Sequence, residues 1–329
     1  ADIQKTIEIV FGATDKTAGA LSSVAGGIDS FTNSVSGVTA PLASLGDSLV
    51  TAEAGIVAMG AAMLAVATNE AAKFQASVNE IGTLFGATSE QTAAFGRQIQ
   101  DYALGSTQSI DSINKATYAA ISAGVDYSKS LDFVSSAEKL AVAGRANLSD
   151  TTVLLISTLN AYGASTDEAA KYSDALFQTV KLGQTTIPEL SSSLAQVTGV
   201  AAAAGIPFDT LAAAIAALTA AGLPTSQAIT GIKAAISNII QPSSEAEKAA
   251  AALGIQFDAA ALKTKGFEGV LKDAYVATGG NVTQMGALFG SVEGLNSALI
   301  LGSDKAGKFA ADLQGMADKA GSTQAAFDL

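Results

Sequence analysis

The chain has 329 residues, with 30 acidic and 18 basic side chains giving a formal net charge of −12, and its two arginines are Arg97 and Arg145. It carries no cysteine and no histidine, which excludes disulfides, thiolate zinc clusters, thiol nucleophiles and the commonest general base. A sequence-reading nucleic-acid binder needs clustered Lys and Arg, which this balance does not supply.

Residues 1–40 read as a leader or arm. Asp2, Lys5 and Glu8 break any secretory signal pattern. Thr6–Phe11 fits one short strand ended by Gly12, and residues 18–38 fit a weak helix. Pro41 opens the longest helical pattern, residues 41–85. Inside it Ala54–Ala67 is an uncharged run in which Gly55, Ile56, Val57, Met59, Gly60, Met63, Leu64 and Val66 form a candidate membrane or self-association segment. Spanning a bilayer takes about 20 residues, so the run alone is too short, and its small residues suit close helix packing.

A glycine then recurs at steps of 17 to 22 residues: Gly86, Gly105, Gly124, Gly144, Gly163, Gly183, Gly205 and Gly222. Glycine ends a helix in the left-handed conformation without steric cost, so the cadence predicts short helices separated by stops. Helices that short hide their apolar faces only by folding back on one another. The expected fold is therefore all-α: an array of short antiparallel helices over 86–254, following one long N-terminal helix, with a short N-terminal strand.

Within the array, Thr88-x-x-Gln91 and Ser165-x-x-Glu168 have capping-box spacing and open helices near 89–104 and 166–182. Between them lie helices near 110–123, 129–143 and 149–162, the last capped by Ser149. Pro188 starts one over 187–204, Asp209 caps one over 210–221, and another covers 225–240. Ser244 with Glu247 caps a short helix that ends at Gly254. Leu182–Ser244 holds three charged residues, Glu189, Asp209 and Lys233, so these helices belong at a domain centre or a subunit contact. Residues 255–329 form a C-terminal extension: a loop or irregular strand over 255–266, then helices near 267–277, 282–301 and 304–320. The helical pattern still runs at Phe327-Asp328-Leu329, which reads as a chain continuing in a longer polypeptide.

Chemistry-bearing patterns are sparse. Ser112-x-x-Lys115 has the spacing of a serine nucleophile with a lysine base, but no companion motif accompanies it. Glu245 with Glu247, and Asp167 with Glu168, sit where first-turn acids serve the helix dipole. No calcium loop, phosphate-cradling loop or dinucleotide fingerprint is present, so no enzyme activity, metal or cofactor is expected.

One resemblance spans residues 70–301 through an ordered series of small motifs. Phe74-Gln75 is followed by Gly86-Ala87-Thr88-Ser89-Glu90, Gly105-Ser106-Thr107, Ala123-Gly124, and Leu140 to Gly144. Leu159-Asn160-Ala161-Tyr162-Gly163, Asp174-Ala175-Leu176, Val200 to Ile206 and Leu218 to Leu223 continue it. Pro242-Ser243, Leu253-Gly254-Ile255, Leu288-Phe289-Gly290 and Ala298-Leu299 close it. In this order and spacing the chain resembles the core region of phage tail tape measure proteins. It departs at Ile229, where the family shows Gly, and at Lys233, near the usual Arg.

The resemblance implies a structural ruler in the lumen of a virion tail tube. Such a protein is made in the host cytoplasm, sets tail length during assembly and leaves ahead of the genome. Implied partners are the tail tube protein, tail assembly chaperones and tail tip or baseplate hub proteins, with further copies of the chain as a homo-oligomer. Genomic DNA would be only a non-specific neighbour, and host membrane a contact at ejection. The family-core positions are Gly105, Gly124, Gly144, Gly163, Gly205, Gly222, Gly254, Phe289 and Gly290. An alternative from the uncharged segments is a membrane-active helical effector or pore, and a third is an unrelated helical scaffold or enzyme.

Overall fold

Helix after helix ends on the left-handed turn that glycine permits. Gly86, Gly124, Gly163, Gly205, Gly222 and Gly254 all have φ between 60° and 99°. The computed structural model describes residues 69–303 and 307–329; all their regular structure is helical, and no strand occurs among them. The expected strand Thr6–Phe11, the segment Gly55–Val66 and most of the long helix 41–85 lie outside the described residues. The chain divides into units Ala1–Ala72 and Lys73–Leu329, and the second is described here.

It begins within a helix, α1 (69–84), which buries Val78 and Ile81. Then follow α2 (Ser89–Gly105), α3 (Ile110–Ser122), α4 (Ser130–Ala143), α5 (Leu148–Tyr162) and α6 (Ala169–Leu182). Local side chains fix their starts. Thr88 and Gln91 form the reciprocal capping box of α2, and Ser109 caps α3. Asn147, not Ser149, caps α5: its side chain accepts from the amides of Ser149 and Asp150. At Ser165 the box is replaced by a tighter 3₁₀ turn, Thr166–Glu168, in which the Ser165 hydroxyl accepts from the Asp167 amide.

The second half of the array is α7 (Ile187–Ser193), α8 (Ala195–Ala203), α9 (Phe208–Ala220), α10 (Thr225–Ile240) and α11 (Ser244–Leu253). The single helix expected over 187–204 is divided at Leu194. There the Ser192 and Ser193 hydroxyls bond the Glu189 carbonyl and compete with the helical ladder. Asp209 does not cap α9, whose N-cap is Pro207; its carboxylate pairs with Lys319. Ser243, one residue ahead of the expected Ser244, caps α11.

The core sits on α5 and α9. In α9 every residue from Leu211 to Thr219 is buried, so its five alanines admit neighbours on all sides. Most large apolar residues of Leu182–Ser244 are thus covered by the chain's own helices: Ile187, Leu190, Val197, Ile215, Ile229, Ile232 and Ile236 are at most 1% exposed.

The remaining helices are α12 (Ala259–Thr278), α13 (Val282–Phe289), α14 (Val292–Gly302), α15 (Lys308–Ala317) and α16 (Ser322–Phe327). They pack back on the array: α14 on α10, α15 on α9, and α16 on α4 and α6. The loop expected over 255–266 is already helical from Ala259, and the chain bends at Gly266, where φ is 71°. The helix expected over 282–301 is two, parted at Gly290. The last expected span, 304–320, contains α15, which ends at Ala317.

Candidate functional site

The sequence-level catalytic pair does not form. The Lys115 ammonium pairs with Asp111 at 2.7 Å, and the Ser112 hydroxyl meets Ser109 at 2.9 Å. Asp167 pairs with Lys129 and Glu168 with Lys171, while Glu245 and Glu247 occupy the first turn of α11. Among the described residues no group of acidic side chains could hold a metal ion. No described helix is long and apolar enough to cross a membrane.

One shallow cleft, about 190 Å³, is lined by Tyr162, Lys171, Tyr172, Pro207, Phe208 and Asp209. Tyr172 stacks on Phe208 with centroids 5.0 Å apart, and Tyr162 meets Phe208 edge-on at 5.5 Å. Burial, with the nearby Tyr172 and Asp209, pushes the Tyr162 hydroxyl well above the ordinary phenol range. It stays a neutral wall.

At the glycines and motifs singled out from the sequence the structure places joints between helices. The Gly105-Ser106-Thr107 turn is tied to Glu138 of α4. That carboxylate accepts from Tyr102 Oη at 2.5 Å, Ser106 Oγ at 2.7 Å, Thr107 N at 2.9 Å and Thr107 Oγ1 at 3.0 Å. Burial pushes Glu138 up; the bonds from Tyr102, Ser106 and Thr107 outweigh it and hold the group below its ordinary range. Gly105 itself is the last residue of α2, and its missing side chain meets nothing.

Gly144 differs from the stops with positive φ. Its φ is −90° and Arg145 takes the left-handed position at 51°. A Cβ on Gly144 would stand 2.3 Å from Ile187 Cγ1 and 2.9 Å from the Leu140 carbonyl oxygen, so packing, not backbone conformation, excludes a side chain there. Gly183 is extended, and there too packing excludes a side chain, since its Cβ would meet Thr219 Oγ1 at 2.5 Å and Ala216 Cα at 2.9 Å. Gly124, Gly163, Gly205, Gly222 and Gly254 follow α3, α5, α8, α9 and α11 respectively.

Phe289 is buried edge-on to Phe257 at 5.1 Å, and its carbonyl accepts from the Asn238 side chain of α10. Gly290 turns the chain beyond it at φ 56°. The tightest crossing was not singled out from sequence. A Cβ on Gly231 of α10 would lie 2.0 Å from Ser297 Oγ and 2.8 Å from the Glu293 carbonyl oxygen of α14. The departure at Ile229 lies beside it, buried at 0% exposure. The signal was Gly231 itself, a glycine in mid-helix with no stop to explain it.

Packing joints and a closed alanine core define an all-helical packing module. The profile of the family described as phage-related minor tail protein matches residues 100–290, and the chain belongs to that family. It is 30% identical over 166 residues to the "Probable tape measure protein" of Clostridium phage phiCD119, a match covering 49% of this chain and 18% of that protein. It is 24% identical over 216 residues to the "Tape measure protein" of Pneumococcus phage Dp-1, covering 66% of this chain and 18% of that protein. The chain thus spans about a fifth of the length of these relatives. No solved structure matches it.

Proposed function

We propose that this chain is the folded region of a tail tape measure protein. In this reading the full polypeptide lies in the lumen of a growing tail tube, tube subunits stack around it, and its length sets where stacking stops. It enters with tail assembly chaperones from the host cytoplasm, joins further copies of itself, meets tail tip or baseplate hub proteins, and leaves ahead of the genome, where it contacts the host membrane. The observation that carries this is the pair of matches to proteins named as tape measures, over a region whose motifs serve as packing joints. The net charge of −12 suits a protein that DNA follows without adhering.

The folded unit refines the ruler. Residues 73–329 drawn out as one helix would measure about 390 Å, whereas a compact domain of that length has a radius of gyration of about 18 Å. This region therefore adds little length per residue while it stays folded, and length belongs to extended parts of the whole protein. Internal deletions within residues 86–222, placed in the complete phage, should abolish tail assembly when particles are counted by electron microscopy. Intact tails shortened by about 1.5 Å per deleted residue would overturn the compact reading.

A further inference from the structure

The last two helices are held differently from the rest. Those of the array meet through buried aliphatic and alanine faces, whereas residues 307–329 add polar ties to an apolar contact on α9 made chiefly by Phe309, Leu313 and Met316. Their other anchors are polar and fall largely on one stripe of α6. Asp174 accepts from the amides of Gly321 at 2.7 Å and Thr323 at 2.9 Å. Four residues on, Gln178 Nε2 donates to the Gly315 carbonyl at 3.2 Å. Four further, the Leu182 carbonyl accepts from Lys308 Nζ at 3.1 Å. Ser173 meets Thr323 through their hydroxyls, and Lys319 reaches Asp209 at 2.7 Å.

The α16 helix has no side-chain cap of its own, since its N-cap is Gly321. Its first amides are satisfied across the chain by Asp174, a cap supplied by a different helix. Removing this segment uncovers that water-compatible stripe together with the faces of α9 and α4 that α15 and α16 cover, while α6 keeps its packing on α4, α5 and α9. The family match ends at residue 290, ahead of the segment.

We propose that residues 307–329 are a strap that undocks as a unit from the Asp174–Gln178–Leu182 stripe of α6 while the array beneath stays folded. Asp174 is the latch. Undocking bares the polar stripe of α6 and the adjoining flank of α9, so any pull or competitor acting on this side of the chain meets the strap first. This rests on the geometry alone and stands whether or not the protein is a ruler.

Hydrogen exchange followed by mass spectrometry on the 329-residue chain tests it. Amides of 308–327 should exchange at least about tenfold faster than those of α9 and α10, as one group, because sub-global openings expose a cooperative unit together. Asp174→Ala should accelerate the strap about tenfold further and leave α9 and α10 unchanged. Strap amides exchanging in step with α9 in the parent chain would overturn the proposal. So would an Asp174→Ala chain that loses protection across the whole array.

Discussion

Two buried carboxylates show how one residue type can take opposite roles. Glu138 is 3% exposed and satisfied four times. Asp312 is 1% exposed, pairs with Lys308 through one oxygen and leaves Oδ2 with no partner. Its burial raises the carboxyl above its ordinary value of 3.8, against the lowering pull of Lys308. The signs follow. A carboxyl held below its ordinary value stabilises the fold above that value, and the stabilisation fades as pH falls through the folded value. A carboxyl held above it opposes folding most at neutral pH and less as pH drops. Glu138→Gln should therefore cost about 2 kcal/mol at pH 7, the scale of a lost charge-assisted bond plus an unsatisfied donor. That deficit should shrink below the ordinary glutamate value of 4.5. Asp312→Asn should leave stability at pH 7 unchanged or raise it by up to about 1 kcal/mol. Urea melts across pH read both; a costly Asp312→Asn or a harmless Glu138→Gln would refute this assignment.

At the scale of the element, glycines do two jobs that a cadence cannot separate. Where a stop needs positive φ, as at Gly163 and Gly254, the spacing makes it legible, because helix length and turn chemistry are local properties. Thr88 with Gln91 was legible for the same reason. Gly144, Gly183 and Gly231 are required by atoms of Ile187, Thr219 and Ser297, which lie on other helices, and nothing local records them. The Glu138 tie to the Gly105-Ser106-Thr107 turn, some 30 residues away in the chain, was hidden for the same reason. Asn147 and Ser243 were displaced from the expected caps by one or two residues because neighbouring Ser, Asn and Asp compete for the role. Gly199 is a useful contrast: it is exposed inside α8, with no atom within 4 Å of its added Cβ. Gly199→Ala should stabilise by about 0.5–1 kcal/mol by relieving helix and unfolded-chain entropy. Gly231→Ala should destabilise by about 1–3 kcal/mol, because the Glu293 carbonyl is backbone and α10 and α14 must part. Chemical melts of the two single variants should move in opposite directions, and a shared sign would show that crossing to be loose.

Across the whole unit, distant partners decide the behaviour. A solenoid of repeats packs each helix only on its sequence neighbours and tolerates truncation at many points. Here α14 covers α10, α15 covers α9 and α16 covers α4, so the last helices fold back over the array. Only the helical character of most of the stretch from residue 267 onward was legible, since it follows from composition and spacing; the helix already running from Ala259 was missed, and the docking sites were hidden, since these depend on matched surfaces such as Gly231 against Ser297 and Gly302 against the Leu271 carbonyl. The consequence separates two truncations. Ending the chain at 302 removes the strap and keeps the α10–α14 crossing, so cooperative thermal unfolding should persist at a lower midpoint. Ending it at 254 strips α14 from α10 and leaves the Gly231 and Ala234 face open to water, together with the surface that α13 covers on α11. That shorter chain should retain helix by circular dichroism, lose its sharp melt and bind a hydrophobic dye, as compact states without fixed packing do. Equally sharp melting of both truncations would mean that the array up to Gly254 folds alone, and that helices added beyond it decorate a finished core.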